Sequence, residues 1–407
     1  MTTEARADNA AGGGREAGAD PVSFAQALIR CPSVTPEDAG ALEVLEVALK
    51  PAGFACHRLT FQEPGTEAVH NLFARIGDAG PHLCFAGHTD VVPPGDESKW
   101  LHPPFEAVID NGVLYGRGAQ DMKGEVAAFL AAALDWVADH RAAGRPLPGS
   151  LSFLITGDEE GPAINGTRKV LEWMQENGHV PDACLVGEPS CSEELGDTIK
   201  NGRRGSVNFF ITCRGAQGHT AYPEKAINPV HALARFVDRL TATPLDHGTP
   251  HFQPSTVAFS TFDVGNPATN VIPAEAQAVC NIRFNTEHTP ASLDRRLHNL
   301  ASEIAGETGA RFDIVMKVSG EAFITEGGLI VDVVREAVQA ETGLEPALST
   351  GGGTSDARFI KDYCPVVEFG LVNDTIHQIN ERVLVDDLWR LKAIYRRVID
   401  LFFARAV

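Results

Sequence analysis

Five side chains of kinds that bind divalent cations follow apolar runs in this sequence: His88 in GHTD (87–90), Asp121 in GRGAQDMKG (116–124), Glu160 in GDEEG (157–161), Glu188 in GEPS (187–190) and His377 in TIHQINE (375–381). Ligands of open α/β sheets collect beyond the carboxyl ends of the strands, so one sheet edge could gather all five. Two imidazoles and three carboxylates without sulfur form a borderline-hard set suited to zinc, cobalt or manganese, with zinc the default. Each segment alone has a plainer reading. An Asp before a helix ordinarily caps it, paired glutamates are often a solvated turn, and a lone histidine is usually a surface or satisfied polar group. The chemical alternative makes Asp121 a carboxylate whose two oxygens bridge two cations. Adjacent Glu159 and Glu160 point in different directions, so one can bind a metal while the other addresses its water. Asp90 could accept a hydrogen bond from the His88 imidazole and fix its tautomer.

The elements that must position these residues alternate short apolar runs with amphipathic stretches of helical period, the grammar of an α/β domain with a mainly parallel sheet covered by helices on both faces. Candidate strands are 83–86, 151–155, 183–186 and 366–369; candidate helices are 41–49, 126–137, 168–175 and the stretch from 386 onward. Between 204 and 319 the order becomes strand (206–213), helix (229–241), strand (255–262), strand (276–284), helix (291–306), strand (311–318), a ferredoxin-like β-α-β-β-α-β unit. The α/β grammar resumes near Leu329, so this unit is an insertion. The expected organisation is a flexible tail (1–20), a first catalytic segment (21–203), the inserted domain (204–319) and a second catalytic segment (320–407).

Bulk properties narrow the partners. A chain of 407 residues, 43% hydrophobic, is large enough for two domains. A formal charge of -20 disfavours nucleic acid and anionic membrane surfaces. An anionic substrate would need locally placed arginines to overcome that field. The eight cysteines include no CxxC pair and read as reduced and structural. With no signal-peptide core and no run approaching a membrane span, the cytoplasm is the default compartment.

The ordered motifs IRCPSVTPEDAG, GHTDVVPPGD, GRGAQDMKG, DEEG, GEPS, NGRRGS, GHTAYP, ATNVIPAE, NIRFNTE, GGGTSDARF and TIHQINE resemble the co-catalytic zinc amidohydrolases, a family that includes aminoacylases, acetylornithine deacetylase and carboxypeptidase-like enzymes. The resemblance covers about residues 21–407. It implies a zinc-peptidase-like catalytic domain and two Zn2+ per subunit, with Co2+ or Mn2+ as substitutes. Asp121 would bridge the ions, His88 and Glu188 complete one site, and Glu160 and His377 the other. Glu159 becomes the general acid/base and Asp90 the residue that orients His88. The inserted domain would form a homodimer interface, from which His219 reaches the partner's active site. Arg203, Arg204, Tyr222, Asn270, Arg283, Thr354, Ser355 and Arg358 fall in segments resembling the family's substrate-binding motifs.

The implied reaction is amide hydrolysis of a small anionic acyl amino acid. GGGTSDARF and TIHQINE lean toward desuccinylation of N-succinyl-LL-2,6-diaminopimelate rather than deacylation of acetylornithine. Two departures from the family pattern are Gln120, where a small residue is common, and Ala357, where Gly is frequent. A catalytically silent metal- or metabolite-binding relative would be expected to lack a ligand or Glu159, and all are present; no GxSxG elbow supports a nucleophilic hydrolase.

Overall fold

The computed structural model describes residues 18–406. An eight-stranded sheet runs in the order Ala55–Phe61, Val69–Ile76, Ser150–Thr156, His82–His88, Ala183–Val186, Val366–Glu368, Thr198–Lys200 and Ala347–Ser349. The first two strands are antiparallel to their neighbours, and the central strands from Ser150–Thr156 to Val366–Glu368 are parallel. The central strands are buried on both faces, which is why they read as unbroken apolar runs. Their side chains alternate between two cores. Leu72, Phe85, Phe153 and Val367 face the helices Pro21–Ile29, Ala41–Leu49, Lys123–Ala142, Leu329–Thr342 and Val385–Arg405. Phe73, Cys84, Leu154 and Val366 face Thr167–Glu176 and the short Ala357–Ile360 helix.

The helix expected at 126–137 begins earlier, at Lys123, and runs to Ala142. It is apolar nearly all round and lies under other helices, so Lys123, a residue usually assigned to the surface, is wholly buried, with Nζ donating to the Cys31 carbonyl at 2.8 Å. Residues 1–17 of the expected tail lie outside the described residues. Residues 18–20 do not behave as a tail: the Ala19 amide donates to Asp135, the Ala19 carbonyl accepts from Lys392, and Asp20 caps the Pro21–Ile29 helix through the Val22 amide.

The stretch from Gly205 to Gly320 builds a separate four-stranded antiparallel sheet ordered Thr256–Asp263, Glu275–Phe284, Gly205–Arg214, Arg311–Gly320. Helices Pro229–Thr241 and Pro290–Thr308 cover one face and close a core of its own around Phe209, Phe236, Ile282 and Leu297. Both helices start on side-chain caps, Asn228 and Thr289, followed by Pro. Among the described residues no helix is long and apolar enough to cross a membrane.

At the sheet's amino edge His82 is buried, with Nε2 2.7 Å from the Ser152 hydroxyl. Burial, with Arg75 adding to it, brings its pKa down to about 4. The unfolded chain therefore takes up a proton here between about pH 6.5 and 4 that the folded chain refuses, a contribution present above pH 6.5 and lost on acidification, worth about 3 kcal/mol. Urea unfolding at pH 7 and pH 4.5 should show His82→Gln losing less stability on acidification than the wild type; equal losses would contradict this.

Candidate active site

His88 ends a parallel strand, and the turn after the neighbouring Ser150–Thr156 strand carries Glu159 and Glu160. Glu188 follows the strand on the other side, and His377 sits in the loop after Val366–Glu368. All five therefore reach the carboxyl edge of the sheet. Glycines let these loops come close: a Cβ at Gly370 would lie 2.6 Å from the Glu188 carbonyl.

Asp121 enters from the start of the Lys123–Ala142 helix, but it does not cap it. Met122 is the N-cap, at φ 139°, and no side chain caps the helix. That backbone is strained for a residue with a Cβ, and Met122, wholly buried, is held in it by its surroundings. The Asp121 carboxylate points into the cleft instead. Oδ1 lies 3.4 Å from His88 Nε2 and Oδ2 lies 3.0 Å from His377 Nε2. His377 Nε2 is also 2.9 Å from Glu160 Oε1. Ligand atoms of His88, Glu159 and Glu188 lie within 4.8 Å of one another, as do those of His88, Asp121 and Glu160, and either group could hold a metal ion.

The electrostatics of these groups is extreme. Burial, with Asp356 next, pushes the Glu159 carboxyl up to about 8. Burial and the charges of Glu159 and Asp121 hold Glu188 well above the usual carboxylate range. Asp121 is opposite: burial works to raise it, but hydrogen bonds from His377 and His88 hold it below that range. Those same bonds to Asp121 and Glu160 raise the His377 imidazole to about 10. Oxygen and imidazole donors that crowd together at this cost are suited to a divalent cation, whose charge would favour the ionised carboxylates.

The role expected of Asp90 needs correction. Its backbone carbonyl, not its carboxylate, takes the bond from His88 Nδ1 at 2.9 Å, which turns Nε2 toward Asp121; the nearer carboxylate oxygen is 3.6 Å away. The carboxylate accepts instead from the amides of Glu159 and Glu160, at 3.3 and 3.0 Å, and so pins the turn that presents both glutamates.

Two residues that sequence reasoning missed hold Asp121. The buried Glu381 carboxylate accepts the amides of Gln120 and Asp121, both at 3.0 Å, and pairs with Arg117 at 2.6 Å. Glu381 closes the TIHQINE motif, a position that offered the only hint, since charged residues in loops ordinarily read as surface.

A cleft of about 780 Å³ opens over this centre between the two units, lined by Asp121, Glu159, Glu160, Glu188 and His377 on one side and by Arg283 and Lys317 of the inserted unit on another. Arg358, Thr354, Arg168 and Lys200 also line it, so a basic wall faces the acidic floor. The other expected substrate residues fare differently. Arg203 reaches the cleft wall, but its guanidinium is committed to buried Glu368, at 2.9 Å through Nε, and to the carbonyls of Gly351 and Gly353. Ser355 is fully buried and donates to Glu368 Oε1 at 2.6 Å, so it supports that pair from behind the cleft. Arg204 is not among the lining residues, and its Nε is buried without a hydrogen-bond partner. His219, Tyr222 and Asn270 do not line the cleft either. They gather on the inserted unit, where the Asn270 carbonyl accepts the Thr220 amide and the His219 and Tyr222 rings lie 5.9 Å apart. His219 is exposed, and its Nδ1 accepts the Ala221 amide at 3.0 Å.

An acidic, imidazole-bearing centre at the carboxyl edge of a mainly parallel sheet, roofed by an inserted unit, places the protein among the metal-dependent hydrolases. Residues 84–401 match the model of peptidase family M20/M25/M40, and the chain belongs to that family. A succinyl-diaminopimelate desuccinylase from Rhodospirillum centenum is 57% identical over 387 residues, spanning 95% of this chain and 98% of the relative. Among solved structures, aminopeptidase PepT from Bacillus cereus has a TM-score of 0.74 at 20% identity, covering 94% of this chain and 98% of that one. The YXEP protein of Bacillus subtilis, a dinuclear metal binding peptidase, has a TM-score of 0.70 at 17% identity, covering 95% and 98%. At those identities the two structures speak for the shared fold.

Glu381→Ala should destabilise the protein by about 3–5 kcal/mol, because it leaves Arg117 buried and unpaired and frees two amides. Denaturant unfolding measures this; a loss below about 1 kcal/mol would show that Glu381 does not hold the site.

Proposed function

We propose that this chain removes the succinyl group from N-succinyl-LL-2,6-diaminopimelate, with two zinc ions bound at the site described. The observation that carries the reading is the Asp121 carboxylate, which turns one oxygen toward His88 and the other toward His377 beside a glutamate whose pKa is raised to about 8. The relative from Rhodospirillum centenum, similar over nearly its whole length, supplies the substrate. Asp121, with His88 and Glu188 on one side and Glu160 and His377 on the other, would hold the two ions, which when bound would lower the pKa of the attacking water and polarise the amide carbonyl.

Glu159 takes the proton of the attacking water as its oxygen bonds to the carbonyl carbon. The C–N bond then breaks, and Glu159 returns that proton to the leaving amine, giving succinate and the free diamino diacid. Arg283, Arg358 and Lys317, in the cleft wall, meet the substrate carboxylates. Asp90 keeps Glu159 in place through its amide. His219, which does not line its own cleft, acts on the carbonyl oxygen of the substrate in the partner's site of a homodimer built through the inserted unit. The cytoplasm is the compartment that suits a reduced-cysteine protein of this kind.

Chelator-stripped protein should regain hydrolysis of the succinylated substrate as zinc is titrated back, with N-acetylornithine remaining uncleaved. Glu159→Ala should keep metal binding and lose about 10²–10⁴-fold in kcat. Cleavage of acetylornithine alone would overturn the substrate, and a near-normal Glu159→Ala rate would remove Glu159 from the mechanism.

The shared-site reading predicts complementation. Glu159→Ala and His219→Ala proteins, each inactive alone, should recover activity when mixed and allowed to exchange subunits, because one site of the mixed dimer has both residues intact. No recovery, with exchange verified by mass, would place His219 outside the partner's site.

A further inference from the structure

We propose that Gln120 is a positioning residue for the metal-binding loop: its side-chain amide clamps Asp374 and Thr375 and thereby fixes His377 against Asp121. The inference rests on the two-ion reading above. The loop turns back over Asp121 with two non-glycine residues in the left-handed region, His377 at φ 60° and Asn380 at φ 65°. Such backbone persists only where its surroundings over-determine it. Packing does little of that work at His377, whose side chain is 49% exposed. Hydrogen bonds must hold the loop.

Gln120, 3% exposed, supplies several of them. Its Oε1 accepts both the Thr375 amide, at 2.6 Å, and the Thr375 hydroxyl, at 2.7 Å, while its Nε2 donates to Asp374 Oδ1 at 2.6 Å. With its proton directed to Gln120, the Thr375 oxygen is free to accept the Arg382 amide at 3.2 Å, which ties the loop to its own far end. The backbone amide of Gln120 ends on Glu381, as does that of Asp121. The dipeptide Gln120-Asp121 thus grips the loop at 374–375 through a side chain and at 381 through its backbone, with His377 between the two grips. Because Gln120 precedes Asp121 directly, loop and bridging carboxylate share one reference frame, and the 3.0 Å approach of His377 to Asp121 follows from it.

A plainer role is that of a plug. Gln120 and Asp374 also wall a neighbouring cavity of about 400 Å³, and any side chain of similar volume would serve for that. Gln120→Met separates the two, since it keeps length and volume but removes donor and acceptor. Zinc is titrated into chelator-stripped full-length wild type, Gln120→Met, Gln120→Ala, Asp374→Ala and His377→Ala, with thermal melting as the fold control. The wild type should take up two ions. Both Gln120 variants should weaken the step that His377→Ala abolishes by about 10–100-fold and leave the other step within about twofold. Asp374→Ala, at an exposed position, removes one contact and should weaken the same step about threefold. Unchanged affinity at that step in Gln120→Met, or in Asp374→Ala should the Gln120 variants not fold, overturns the proposal. A wild type that takes up fewer than two ions overturns the two-ion reading, and this proposal with it.

Discussion

The structure turns on a single carboxylate. Asp121 must lie in the middle of a buried acidic cluster with its two oxygens facing opposite ways, and a charge there is tolerable only if everything around it is fixed. The chain meets that demand by strain at Met122, by two backbone amides locked onto Glu381, and by imidazoles on either side. Glu381 is itself neutralised by Arg117. The polar network under the site is therefore a foundation that reaches from the 117–121 turn to the 375–381 loop.

Around that centre the fold separates two tasks. The parallel sheet supplies rigid strand ends, so His88, Glu159, Glu160 and Glu188 inherit their positions from strands buried on both faces. The inserted unit, with a core of its own, brings basic side chains to the opposite wall. This answers the difficulty posed by a charge of -20. The protein as a whole repels anions, but the cleft wall carries Arg283, Lys317 and Arg358 where an anionic substrate would enter.

Much of this was legible in the sequence where local physics settles it. The helix Pro229–Thr241 and the strand Ala183–Val186 match their expected limits, the first because Asn228 and Pro229 mark its start, the second because a four-residue apolar run buried on both faces has little ambiguity. The candidate metal-binding residues were legible because four of them, His88, Glu160, Glu188 and His377, end or follow strands of the sheet, whereas Asp121 directly precedes a helix. What was not legible depends on partners remote in the chain. Glu381 and Arg117 are 264 positions apart, and each alone looks like a surface charge. Lys123 lies in the first turn of a buried helix, a place that a periodicity argument assigns to solvent. Asp90, Arg203 and Ser355 stand in the expected motifs but make hydrogen bonds there that the motifs do not specify, because sequence cannot tell which oxygen of Asp90 meets His88, nor that Arg203 and Ser355 both bond Glu368.

The most direct test of this account is anomalous diffraction from crystals of the zinc-loaded protein. Two peaks flanking the Asp121 carboxylate, one beside His88 and Glu188 and the other beside Glu160 and His377, are the predicted result. A single peak, or peaks away from Asp121, would contradict the claim that one carboxylate organises the site.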